Sequence, residues 1–198
     1  MKLVVCITGA SGAIYGLRTL EVLNDMGFEV DLIVSSSGWI VLKEEMDISP
    51  NILKSRFPGF TFHSEKDMAS PIASGSRLIH YDGVLVCPCS TSTLAHIANG
   101  INSNLIHRVC EVALKERIPL LLLFREMPLS EIHLENMLKL KRAGAIIMPA
   151  SPGFYHRPST VGEIVDFVVG KVLDAIRVNH SLFRRWKEEG IIHSGGIE

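Results

Sequence analysis

The chain has 198 residues, 47% apolar and 21% charged, with a formal net charge of −1. At about 100–200 residues per domain this reads as one domain, able to bury a core without a disulfide or metal staple. The near-neutral charge and the 7% aromatic content argue against a general nucleic-acid binder, which needs a basic face and stacking platforms.

The first predicted element is the apolar run Leu3 to Ile7, the pattern of a strand buried on both faces, ending in Thr8-Gly9-Ala10-Ser11-Gly12. A helix is predicted over Ala13–Met26, with Leu17, Leu20 and Leu23 on one face and Gly27 as its stop. A second strand, Val30–Val34, ends in Ser35-Ser36-Ser37-Gly38, and Trp39–Glu45 reads as helical. Asp47–Pro71 is less regular, with a short strand at Phe60-Thr61-Phe62. Val84-Leu85-Val86 is another buried strand, ending in Cys87-Pro88-Cys89-Ser90-Thr91-Ser92-Thr93. Helices follow at Thr93–Asn99 and Leu105–Arg117, then a strand at Leu120–Phe124 ending in Arg125-Glu126. Ser130 caps a helix running to Ala143, Ala145–Met148 is the last strand, and Thr160–Ile176 is a long helix before a polar tail. Short apolar strands alternating with amphipathic helices predict an α/β fold in three layers, with a mostly parallel sheet and helices on both faces.

Four cysteines, Cys6, Cys87, Cys89 and Cys110, form no C-x-x-C pair, and Cys87-Pro88-Cys89 is too tight for a zinc knuckle. They read as reduced thiols of an intracellular protein. No apolar run approaches the roughly 20 residues of a membrane span, and the N-terminal run is shorter than a signal core. The expectation is a cytoplasmic protein with no membrane span and no nucleic-acid partner. No H-E-x-x-H or clustered His/Asp set points to a metal, and no G-x-S-x-G elbow is present.

In an open parallel sheet, ligands bind beyond the carboxyl ends of the strands. Those ends supply Gly9 and Ser11, Ser35, Ser90 to Thr93, Arg125 and Glu126, and the loop Pro152-Gly153-Phe154-Tyr155-His156-Arg157. Small hydroxyls, backbone N–H groups and a guanidinium on one rim are what a phosphate ester requires. The loop Gly9-Ala10-Ser11-Gly12-Ala13 is neither G-x-G-x-x-G nor a Walker loop, so one monophosphate on a helix N-terminus fits better than a dinucleotide or a triphosphate. Arg108, Lys115, Tyr155 and Lys171 are further candidates, each more often a surface group when taken singly. His133 sits inside a helix, where a histidine is more often a satisfied partner than a catalyst.

Thr8-Gly9-Ala10-Ser11-Gly12-Ala13, Tyr15-Gly16, Ala73-Ser74-Gly75-Ser76, Pro88-Cys89-Ser90-Thr91 and Ala113-Leu114-Lys115-Glu116-Arg117 occur in that order. Arg125-Glu126-Met127-Pro128, His133-Leu134-Glu135-Asn136-Met137 and Pro152-Gly153-Phe154-Tyr155-His156 follow. Together they resemble the UbiX-type flavin prenyltransferases over nearly the whole chain, to about Trp186. The resemblance implies a flavodoxin-like or Rossmann-like domain, read here over 1–178; the tail 179–198, with its run Arg184-Arg185-Trp186-Lys187, reads as a solvated helix end or as a lid or arm between subunits. It implies a homo-oligomer, typically a dodecamer, whose sites lie between subunits. It implies FMN held by Gly9, Ala10, Ser11, Ser35, Ser90, Thr91, Ser92, Thr93 and Arg125. Dimethylallyl monophosphate is held by Arg108, Lys115, Arg125, Glu126, Tyr155 and Lys171, without a metal. The implied reaction joins the prenyl unit to N5 and C6 of reduced FMN, and the product serves UbiD-type decarboxylases.

Chemistry assigns the implied roles. Lys115, Arg125 and Lys171 neutralise the leaving phosphate, and Tyr155 adds a hydrogen bond. Glu126 moves a proton to that phosphate, while Ser11 and Glu45 handle the N5 proton. Trp186 covers the prenyl group and excludes water. Two features depart from the family. Lys171 stands where some relatives carry Arg, which keeps the charge and loses the fork. The segment Ser49–Lys66 matches poorly. The rival readings are a flavin-dependent cysteine decarboxylase, whose motif has an Asn absent here, an aromatic-acid decarboxylase, and a flavin carrier.

Overall fold

A computed structural model describes residues 1–187. The strands are β1 (Lys2–Ile7), β2 (Glu29–Val34), β3 (Thr61–Ser64), β4 (Gly83–Cys89), β5 (Leu120–Phe124) and β6 (Ile146–Pro149). They form one sheet in the order β3-β2-β1-β4-β5-β6, with every neighbouring pair parallel. This is the Rossmann-like order, and its topological switch point falls between β1 and β4.

The helices are α1 (Ala13–Asp25), α2 (Ser36–Met46), α3 (Pro50–Arg56), α4 (Gly75–Leu78), α5 (Thr91–Ala98), α6 (Leu105–Glu116), α7 (Glu131–Arg142) and α8 (Val161–Ala175), with a 3-10 turn at Pro71–Ala73. Alternation along β1 divides the core. Leu3, Val5 and Ile7 pack with Leu20 of α1, Leu42 of α2, Leu53 of α3 and Val168 of α8. Val4 and Cys6 pack with Leu94 of α5, Val109 of α6 and Leu140 of α7. Two helical layers therefore sandwich a sheet whose central strands are apolar on both sides.

The predicted elements are present, with shifted ends. The helix expected from Trp39 starts at Ser36, because the Ser35 hydroxyl accepts a hydrogen bond from the Gly38 N–H at 2.9 Å. The irregular stretch after Asp47 contains α3, whose signals are Ser49 as cap and Pro50 in the first turn. Its periodicity was invisible because Leu53 is its single buried residue. The strand expected at Phe60 begins at Thr61, and the one expected to end at Val86 runs on to Cys89. The polar tail expected after Ile176 is partly core, since Val178 and Phe183 are buried.

All four cysteines are buried and free. Among the described residues no helix is long and apolar enough to cross a membrane.

Candidate active site at the switch point

Thr8 closes the crevice between β1 and β4. Its hydroxyl donates to the Pro88 carbonyl at 2.8 Å and accepts from the Ser90 N–H at 2.8 Å. The β4–β5 register shifts between Val86 and Cys89, so the strand bends as it delivers Ser90 to the rim. The Ser90 hydroxyl accepts from the Thr93 N–H at 3.2 Å and so caps α5. The N–H groups of Thr91 and Ser92, in the first turn of α5, lack intrahelical acceptors by helix geometry. On the other side of β1, Gly9 lies against α2, where an added Cβ would come within 2.5 Å of the Ser37 Cβ. That approach brings the hydroxyls of Ser35 and Ser37 beside the Gly9 loop. Glu65 braces the same corner, accepting from the Ser36 N–H at 2.8 Å and from the Asn104 side chain at 3.3 Å.

The first loop corrects the expectation of a phosphate on the N-terminus of α1. The Glu45 carboxylate accepts from the Gly12 N–H at 2.9 Å and the Ala13 N–H at 2.8 Å. Those donors are already satisfied, and the helix dipole already faces an anion. Desolvation raises the Glu45 pKa, but the Ser11 hydroxyl, the two N–H groups and the Arg125 charge outweigh it and hold the carboxyl below its usual value. The N-terminus of α5, by contrast, keeps first-turn N–H groups that an anion such as a phosphate could accept from.

Arg125 leaves the end of β5 and crosses back, its Nε donating to the Ser11 carbonyl at 2.9 Å. Its Nη1 lies 3.9 Å from the Glu126 carboxylate. Arg125 and Glu126 line a cleft of 240 Å³ with Phe124, Met127, Met137 and Ala150. His133 is not at this site as a free base. Its Nδ1 accepts from the Ser130 N–H at 3.2 Å, completing a capping box at the start of α7.

The other candidates lie elsewhere on the chain. Arg108 and Lys115, two turns apart on α6, line a separate cleft of 540 Å³ with Ser74, Gly75, Ser76 and Glu116. Lys115 pairs there with Glu116. It stands at the end of α6 that leads into the start of β5, whereas Arg125 follows the other end of that strand. Lys171 lies on α8, in the other helical layer, and pairs with Asp174 at 3.1 Å. Tyr155 packs edge-on against Phe167 at 5.6 Å and Trp186 at 5.5 Å. One chain thus brings the Thr8, Ser11 and Ser90 rim together with Arg125 and Glu126, while Lys115 and Lys171 lie on α6 and α8.

Sequence reasoning missed a polar cluster beneath the Ser74–Ser76 lip. Buried Asp31 accepts from Tyr81 at 2.8 Å and lies 2.5 Å from His63 Nε2, whose Nδ1 is 2.9 Å from the Ser70 hydroxyl. The signal available was Asp31 itself, a charge inside an apolar strand.

The flavoprotein family profile matches residues 1–173. The flavin prenyltransferase UbiX of Aquifex aeolicus is 55% identical over 186 residues, covering 94% of this chain and 98% of that one. The chain belongs to the UbiX flavin prenyltransferase family. The solved structure of AnUbiX (PadA1) in complex with FMN and dimethylallyl pyrophosphate superposes with a TM-score of 0.90 at 40% identity, covering 96% of this chain and 98% of that one. A dodecameric FMN-dependent UbiX-like decarboxylase from Escherichia coli O157:H7 gives 0.89 at 41% identity, covering 95% and 100%. UbiX membership agrees with the motifs read from the sequence, and it makes this chain a flavoprotein and a transferase.

Proposed function

We propose that this chain joins the dimethylallyl group of dimethylallyl monophosphate to N5 and C6 of reduced FMN. Reduced flavin supplies the nucleophilic atoms. Thr91, Ser92, Thr93 and the Ser90 cap hold its phosphate at the start of α5, and Ser35 and the Gly9-Ala10-Ser11 loop flank the crevice beside them. Glu45 fixes that loop through the Gly12 and Ala13 N–H groups, and Ser11 relays the N5 proton. Arg125 carries the reading, because its hydrogen bond to the Ser11 carbonyl at 2.9 Å ties a cation, and with it Glu126, to the flavin rim. Breaking the allylic C–O bond leaves charge on the phosphate, which Arg125, Lys115, Arg108 and Lys171 stabilise electrostatically. Glu126 protonates the departing phosphate, and the first bond releases the N5 proton through Ser11. Ring closure adds a proton to the prenyl double bond and releases the C6 proton to Glu126, while Tyr155 with Trp186 shields the allylic cation from water.

Because Lys115, Arg125 and Lys171 are held apart in one chain, neighbouring copies complete the site in a homo-oligomer, read as a dodecamer. Residues 1–178 form the flavin domain, and the segment from 179 acts as a lid or an inter-subunit arm, of which 188–198 lie outside the described residues. The product goes to a UbiD-type decarboxylase in the cytoplasm.

Anaerobic incubation with reduced FMN and dimethylallyl monophosphate, followed by mass analysis of the flavin, tests this. A gain of one prenyl unit is expected, and Glu126→Gln is expected to abolish most of it. Unchanged FMN from folded, flavin-loaded protein would overturn the reading. Running the diphosphate in parallel identifies the donor.

A further inference from the structure

Asp31 is a charge on the buried face of β2, and its bonds lead to the cleft that Arg108 and Lys115 line. Its side chain is 10% exposed. The Tyr81 hydroxyl donates to Oδ2 at 2.8 Å, and His63 Nε2 lies 2.5 Å from Oδ1. Desolvation pushes the Asp31 pKa up, but the bonds from His63 and Tyr81 outweigh it and hold the carboxyl below its usual value. A carboxylate only accepts, so Nε2 carries the proton in its bond. The other ring nitrogen, Nδ1, lies 2.9 Å from the Ser70 hydroxyl. Ser70 is buried, yet it lines the 540 Å³ cleft with Ser74, Ser76, Arg108 and Lys115. The same turn reaches Arg108. The Ser70 carbonyl accepts from the Ala73 N–H at 2.9 Å, and the Ala73 carbonyl accepts from Arg108 Nε at 3.1 Å. Arg108 Nη1 donates to Glu111 at 2.5 Å, and Nη2 has no partner among the described residues.

We propose that Ser70 is a further ligand for the donor phosphate in this cleft, and that His63 and Asp31 are the positioning residues that aim its hydroxyl. The proposal rests on the reading of Arg108 and Lys115 given above. Neutral His63, with its proton on Nε2, leaves Nδ1 as an acceptor. The Ser70 hydroxyl then donates inward and shows the cleft only lone pairs, which repel an anion. Protonated His63 donates from both nitrogens. Nδ1 then donates to Ser70 Oγ, and the Ser70 proton turns to the cleft. Anion binding and proton uptake at His63 therefore favour each other, and the coupling is reciprocal. Asp31 fixes the tautomer of the neutral ring and faces the charge of the protonated one. Among the described residues the imidazole bonds Asp31 and Ser70 alone. Lys2 of β1 acts on Asp31, its Nζ 4.8 Å from the centre of the Tyr81 ring. Arg77 of α4 and Glu29 of β2 act on Tyr81, which desolvation and the Asp31 bond keep protonated.

The test is calorimetric binding of inorganic sulfate, an anion that does not titrate near neutrality, to the oxidised FMN holoprotein. Sulfate affinity is expected to rise about fivefold as pH falls from about 8 to about 6, with proton uptake read from buffers of different ionisation enthalpy. Ser70→Ala and His63→Gln are each expected to flatten that dependence, with FMN affinity and thermal midpoint unchanged. Lys115→Ala is expected to remove most sulfate binding, which places the ion in this cleft. In anaerobic turnover Ser70→Ala is expected to raise donor KM about tenfold with kcat little changed. A pH-independent parent, a dependence that survives in either variant, or sulfate binding indifferent to Lys115→Ala would each overturn the proposal. Equal losses of FMN and sulfate affinity in Ser70→Ala would overturn it as well, because they mark a purely structural role. Proton-linked sulfate binding without prenyl transfer in the wild type would overturn the proposed reaction and leave the anion site supported. A wild-type holoprotein that binds neither sulfate nor dimethylallyl monophosphate would overturn both, and one that binds the donor but no sulfate would overturn this proposal alone.

Discussion

Gly9 shows how one missing atom shapes the flavin rim. A methyl group there would meet Ser37 Cβ at 2.5 Å and Ser37 Oγ at 2.8 Å, contacts that no real structure holds. Gly9→Ala must push the β1–α1 loop away from α2, so FMN affinity is expected to fall at least tenfold. Equilibrium unfolding should show a loss of about 1–3 kcal/mol, the usual cost of overpacking. In the sequence this residue was legible as part of the loop after the first strand, and its approach to Ser37 is set by tertiary packing. Glu45 was legible only in part. The family resemblance gave it a role, but nothing in the order of residues says that its carboxylate occupies the Gly12 and Ala13 N–H groups, which lie 33 and 32 positions away. Such pairing is set by tertiary geometry, as is the pairing of His63 with Asp31.

Among the elements, those with long apolar periodicity were readable to within a few residues, because burial of a face fixes both type and extent. α3 and α4 escaped, since seven and four residues give periodicity too little length to register. α6 carries a testable electrostatic feature. His107, in its first turn, is buried, stacks on His96 at 4.4 Å, and has its Nδ1 2.9 Å from the Ser103 hydroxyl. Desolvation, then the neighbouring His96, pushes its pKa from 6.5 down to about 4. The unfolded chain therefore binds a proton at His107 between those values that the folded chain does not. Stability rises with pH wherever the unfolded state holds more protons, so this residue makes the fold lose stability as pH falls from about 6.5 toward 4. Urea denaturation across that range is expected to show a shallower pH slope in His107→Gln than in the parent. An unchanged slope would show that His107 is protonated in the native state.

The three-layer architecture governs the whole molecule. α6 carries Lys115 in one helical layer, α8 carries Lys171 in the other, and Arg125 stands at the opposite end of β5 from Lys115. Order along the chain could not reveal that separation, since spacing reports neither layer nor edge, and only the family resemblance pointed to sites between subunits. If two copies share each site, Lys115→Ala and Arg125→Ala should each be inactive, yet regain activity when dissociated, mixed and reassembled. Random assortment in a symmetric assembly leaves about a quarter of such sites intact. No recovery would place both residues in the same copy's site. The residues proposed for the flavin, by contrast, all come from one chain, from Thr8 across to Arg125. On the proposed reading, loading and turnover would answer to different concentrations. A dilute, newly made subunit would take up flavin but would not ionise the allylic ester until neighbours arrive. Assembly would then guard against releasing a reactive cation into water.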